Sequence, residues 1–192
     1  MKRLLKPYLA FLLLGSLILT TSCKDDDPDP EAESEQELIT TVELRLEPVN
    51  DKSAQTVTAI WKDTDGVGGN APVIQGLVLK AGTVYNATVS FMDEASTPGQ
   101  TKNITEEIIE EGHDHEVFYT VTGANVTFAK DVAEDLDKNN RPIGIETTAT
   151  TTTASTGTVR VVLKHQPGLK NANSNMNTGE TDVDVTFPTT IQ

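Results

Sequence analysis

The chain has 192 residues, enough for one domain of ordinary size. It carries 15 basic against 29 acidic residues, a net charge of −14, and a surface of that sign repels phosphate backbones, which argues against nucleic-acid binding. Its single cysteine leaves no partner for an internal disulfide and no CxxC metal or redox motif.

In chain order, the first element is a targeting pattern. Lys2, Arg3 and Lys6 stand before an apolar run from Leu9 to Leu19. That run is too short to span a bilayer as a helix, which takes about twenty residues. It predicts a removable signal over residues 1–22, closed by the small residues Thr20, Thr21 and Ser22 before Cys23. Its removal leaves 12 basic against 29 acidic residues, a net charge of −17. Small residues followed by cysteine resemble a bacterial lipobox, which implies acylation of Cys23. Thr20 stands where leucine or valine is more typical, with Leu19 one position further back. Two or three acyl chains exceed the minimum for stable membrane anchoring. An ordinary secretory signal with an incidental cysteine is the other reading. Lys24-Asp25-Asp26-Asp27 resembles the surface-export signal of Bacteroidota lipoproteins. It implies a lipid-anchored outer-membrane protein facing outward. A periplasm-facing protein on a solvated acidic linker is the alternative. Residues 23–37, acidic and carrying Pro28 and Pro30, read as a tether that buries nothing.

Residues 38–192 read as the folded domain. Val42, Leu44 and Leu46 alternate with Glu43, Arg45 and Glu47, the period of a half-wet strand. A second strand follows through Val57, Ala59 and Trp61. Residues 73–79, apolar on both faces, predict a central strand. It should form a hairpin with the next strand, carried by Tyr85, Ala87, Val89 and Phe91. Thr105 to Glu111 is the one helical segment, capped by Thr105 and stopped at Gly112. Residues 115–121 should pair with 125–129. The Thr-rich stretch 143–153 reads as an exposed or edge strand. Val159, Val161 and Leu163, then Val183, Val185 and Phe187, complete the set. About nine short strands with almost no helix predict an all-β fold, an antiparallel immunoglobulin-like β-sandwich. A small barrel is the second choice.

Three stretches carry candidate chemistry. In Gly112-His113-Asp114-His115-Glu116, two imidazoles stand two residues apart. If the strand already begins there, both point to one face. With Glu110, Glu111, Asp114 or Glu116 nearby they suit zinc, and His165, on the row of Val159, Val161 and Leu163, is a third ligand. The bland reading is a polar strand entry plus a core-edge histidine. Asp63, Asp65 and Asn70 in a Gly-rich loop resemble the start of a calcium loop, although Ile74 stands where the twelfth-position glutamate belongs. Asp131, Asp135, Asp137 and Asn139 form a similar acidic cluster. Solvated loop carboxylates are the alternative for both. No nucleophile–base arrangement is suggested, and Gly66 to Gly69 lacks the Lys-Ser/Thr and helix of a phosphate loop, so no enzyme is expected.

Segments Asp63 to Asn70, His115 to Tyr119, Leu163 to Pro167 and Gly179 to Val183 make the domain similar to a family of small Bacteroidota lipoproteins of unknown function. These sometimes carry the label type 1 periplasmic binding fold. That label implies alternating helices, which the strand pattern here contradicts. The expectation is therefore a lipid-anchored envelope module that captures a divalent metal, zinc or calcium, or assists an outer-membrane uptake receptor. A structural or adhesive sandwich without a small ligand is the alternative.

Overall fold

The computed structural model describes residues 37–192, except Val67 and Pro98. The lipobox, Cys23 and residues 24–36 lie outside the described residues. The chain forms β1 (Thr41–Pro48), β2 (Val57–Lys62), β3 (Val73–Gln75), β4 (Leu77–Leu79), β5 (Val84–Asp93) and β6 (Lys102–Asn103). Then come α1 (Ile104–Glu110), β7 (His115–Thr122), β8 (Val126–Ala129), β9 (Glu146–Thr151), β10 (Ser155–His165) and β11 (Glu180–Ile191). One sheet runs β3-β2-β1-β5-β9-β8 with β6 beside β5, and the other runs β4-β11-β10-β7.

The two sheets form the expected sandwich because alternation supplies each with one apolar face. Val42, Leu44 and Leu46 of β1 are fully buried, as are Val89 and Phe91 of β5. They meet Val159, Val161 and Leu163 of β10 and Phe187 of β11 in one core. Each such side chain contributes roughly 1.5–3 kcal/mol of hydrophobic stabilisation. The strand ladders are antiparallel except for β4 on β11, which is parallel.

Four expectations about pairing are corrected. Residues 73–79 are not one central strand but two edge strands in different sheets. β3 pairs with β2, and β4 pairs with β11. The switch falls at Gly76, where an added Cβ would lie 2.2 Å from the Pro188 carbonyl oxygen. Only glycine permits that approach, so the chain passes from one sheet to the other there. With β4 and β5 in different sheets, the expected hairpin does not form. β7 and β8 likewise sit in different sheets, so 115–121 does not pair with 125–129. The Thr-rich stretch is interior, since β9 pairs with β5 on one side and β8 on the other.

The helix also starts differently. Asn103 is the N-cap, accepting from the Thr105 N–H at 3.2 Å. Thr105 is buried, and its hydroxyl accepts from the Phe91 N–H at 2.8 Å. α1 is thereby fixed to β5, and its C-terminal end is set against the start of β7.

Substituting Gly76→Ala should destabilise the fold by about 1–3 kcal/mol, since the carbonyl it would strike is backbone and cannot turn aside. Urea unfolding measures this. An unchanged midpoint would contradict the close crossing at Pro188.

Candidate functional site: an imidazole–carboxylate cluster at the α1–β7 corner

α1 is only seven residues long, yet both ends are well determined. Asn103 caps it, and Glu106 and Glu107 in the first turn complement the helix dipole. At its end the Glu111 N–H donates to the Glu107 carbonyl at 2.9 Å, and the Asp114 N–H donates to the Glu111 carbonyl at 2.8 Å. The chain therefore turns tightly through 111–114 and enters β7 at His115.

His115 points inward and is 1% exposed. Its Nδ1 lies 3.3 Å from the Glu111 carbonyl oxygen. Glu37, from the segment leading into β1, brings a second carboxylate to this corner. Donor atoms of Glu37, Glu111 and His115 all lie within 4.8 Å of one another. His115 and His165 are register partners across β7 and β10. Their rings stack with centroids 4.6 Å apart and planes inclined by 8°.

Asp182 lies near enough to Glu37 for its charge to act there. The β10–β11 register shifts between Leu163 and Lys164: Leu163 faces Val183 and Lys164 faces Thr181. Asp182 is left as the extra residue of a bulge, a device that re-aims a side chain. Buried oxygens of Glu37 (Oε2) and of Asp182 (Oδ2) accept no hydrogen bond.

The electrostatics follow from burial and crowding. Glu37 is pushed up to about 7, first by burial, then by the Asp182, Glu107 and Glu111 carboxylates. Asp182 is pushed up to about 6 by burial, against the pull of His165 and Lys164. His115 is held below the ordinary histidine range, first by burial and then by His165. A neutral imidazole is the protonation state a metal ligand requires, whereas the raised carboxylates must give up a proton to bind an ion.

The structure brings together only some of the residues singled out above. His115 and His165 meet. His113 does not share their face, because the strand starts two residues later and His113 sits in the turn. Its Nε2 lies 3.3 Å from Asp114 Oδ2. Glu116 alternates to the far side of β7, where the Lys130 ammonium donates to it at 2.6 Å. Asp63 accepts from the Gly66 N–H at 2.9 Å. Asp65 accepts from the Asn70 N–H at 2.9 Å and from its side-chain amide at 2.6 Å. Asn70 thus turns its NH2 inward, while calcium takes oxygen.

In the second acidic cluster, Asp135 and Asp137 act as structural anchors. Asp135 accepts from the N–H groups of Gly144 at 2.6 Å, Ile145 at 3.0 Å and Glu146 at 3.1 Å. Asp137 accepts from those of Asn139 at 2.7 Å and Arg141 at 2.9 Å. The buried Lys170 ammonium lies 3.3 Å from Asp137 and donates to the carbonyls of Gly112 at 2.6 Å and His115 at 2.8 Å. It clamps both ends of the turn that presents His115.

Two residues of the corner escape sequence reading. Glu37 falls within the stretch assigned to the tether, but the structure half-buries it. Asp182 falls on the outer row with Asp184 until the bulge turns it. No protein-family description, curated protein or solved structure matches this chain.

The raised carboxylates have a thermodynamic sign. Between their ordinary range and about pH 7 the folded state binds more protons than the unfolded chain, so this part of stability is full at acid pH and lost as pH rises. In chelator-treated protein, Glu37→Gln should therefore gain melting temperature relative to wild type between pH 5 and pH 8. Thermal melts of the two proteins that differ by a constant over that range would refute the crowding of Glu37.

Proposed function

We propose that this protein is a lipid-anchored module of the bacterial cell envelope that captures a divalent cation and carries out no catalysis. The single observation supporting the cation is the convergence of Glu37, Glu111 and His115 donors within 4.8 Å. One imidazole and two carboxylates suit zinc, whereas calcium takes six to eight oxygens. Three protein ligands leave the fourth zinc position open. An open position suits a carrier that passes its ion to an envelope uptake receptor. The lipobox-like segment ending at Cys23 supports anchorage, and Lys24 to Asp27 supports display on the outer face of the outer membrane. The likeness of these segments to Bacteroidota lipoproteins fits the same picture.

One observation favours a second reading, that of an adhesive sandwich without a small ligand. β3 is an edge strand with Val73 and Ile74 exposed, a surface able to receive a partner strand.

Calorimetric titration of the full-length protein with Zn²⁺ should give binding tighter than about millimolar, an affinity of some 4 kcal/mol or more. His115→Ala and Glu111→Gln should each weaken it by about tenfold or more. Unchanged affinity in the double variant would reject the site. In cells, Cys23→Ser should abolish acyl labelling and move the protein from the membrane to the soluble fraction. Retention on the membrane would reject lipid anchorage at Cys23.

A further inference from the structure

Followed back from β1, the chain loosens by steps. Thr40 is held by its N–H, which donates to the Met92 carbonyl at 2.9 Å, and by its hydroxyl, which accepts from the Glu94 N–H at 2.9 Å. Ile39 packs into the core. Leu38 is 52% exposed. Glu37 comes next, and among the described residues no hydrogen bond or salt bridge reaches its side chain, although its Oε2 is buried.

The groups that Glu37 meets are fixed from other directions. Thr105 ties α1 to β5, and Glu111 closes that helix through its N–H bond to the Glu107 carbonyl. His115 opens β7, is buried, and its own carbonyl accepts from the buried Lys170 ammonium at 2.8 Å. Donor atoms of Glu37, Glu111 and His115 nevertheless lie within 4.8 Å of one another. Two ligands therefore stand on a rigid frame. The third stands on a segment whose first backbone hydrogen bond, among the described residues, is at Thr40.

The protein's own groups do not account for Glu37 staying there. Two carboxylates close together repel, and a buried oxygen without a partner costs free energy. Holding the end of the segment in place costs backbone entropy as well. A divalent cation reverses the balance, because it bonds to both carboxylates and to the imidazole at once.

We infer that the cation clasps the entry segment of the domain: Glu37 closes over an ion held by Glu111 and His115, and swings away when the ion leaves. The inference rests on the cation reading above and adds a moving part to it. It also assigns an order of events. Glu37, on the loosest element, is the last ligand to arrive and the first to go, so it governs the rate of release. Its departure opens a second coordination position beside the one already free, and a receptor group can enter there. The empty and the loaded protein then differ at the point where the chain enters the domain.

NMR relaxation of the amide nitrogens in the full-length protein tests the clasp at Leu38. The Leu38 order parameter should lie below about 0.6 after chelator treatment and rise to about 0.85 with Zn²⁺. In Glu37→Ala, Zn²⁺ should still shift the His115 ring signals while Leu38 keeps its low value. The ion should also leave that variant about tenfold faster or more than it leaves wild type. Leu38 equally ordered with and without Zn²⁺, while His115 responds to the ion, overturns the clasp and leaves the cation site standing. A rise at Leu38 in Glu37→Ala equal to that of wild type overturns it too, because another group then does the holding. No response at His115 overturns the site and the clasp together. Should the variant fail to fold, the wild-type comparison at Leu38 decides alone.

Discussion

The inward row of β10 governs this molecule. Val159, Val161 and Leu163 press the four-stranded sheet onto the seven-stranded one, and the pairing of β10 with β7 lines up Val117 with Leu163. One step further along the same row the apolar residues end, and the register pairs His165 with His115. Alternation that builds a core thus carries two imidazoles to its rim. A one-residue slip of β7 against β10 would separate them and turn the β7 core residues outward. Fold and site therefore rest on a single register.

Around that register the protein assembles charge where burial resists it. Glu37 arrives from the segment before β1, Glu111 from the end of α1, and Asp182 from a bulge in β11. Each comes from a different element, so no local preference explains their meeting. Burial holds Glu37 and Asp182 above the ordinary carboxylate range, and the Asp182, Glu107 and Glu111 carboxylates push Glu37 further. Two other buried carboxylates are well satisfied: Asp135 accepts three backbone N–H groups, and Glu116 meets Lys130. Glu37 and Asp182 each keep one buried oxygen without a hydrogen bond, as do Asp137, Thr147 and Gln166. A bound cation would satisfy that of Glu37.

The sandwich was legible because period-two alternation is a strong signal, clear in β1, β5 and β11. Strand partners were less so. Residues 73–79 read as one apolar strand, and nothing local reveals that Gly76 must pass the Pro188 carbonyl and change sheets. That split, with the two-residue β6, separates the eleven strands among the described residues from about nine expected. His115 and His165 were visible through scarcity, since the chain has three histidines. His113 was drawn in by spacing alone, which fails when the strand begins two residues later. Glu37 was hidden by its acidic neighbours, and Asp182 by an alternation that only a bulge, set by pairing with β10, can break.

Binding at the α1–β7 corner would give the domain a defined cargo, held by residues that also mark where the chain enters it. Anomalous diffraction at the zinc edge, from crystals of the zinc-loaded protein, locates that cargo directly. The strongest peak should lie within about 2.3 Å of donors from Glu37, Glu111 and His115. Zinc bound only at other residues, with that corner holding none, would contradict the cation reading.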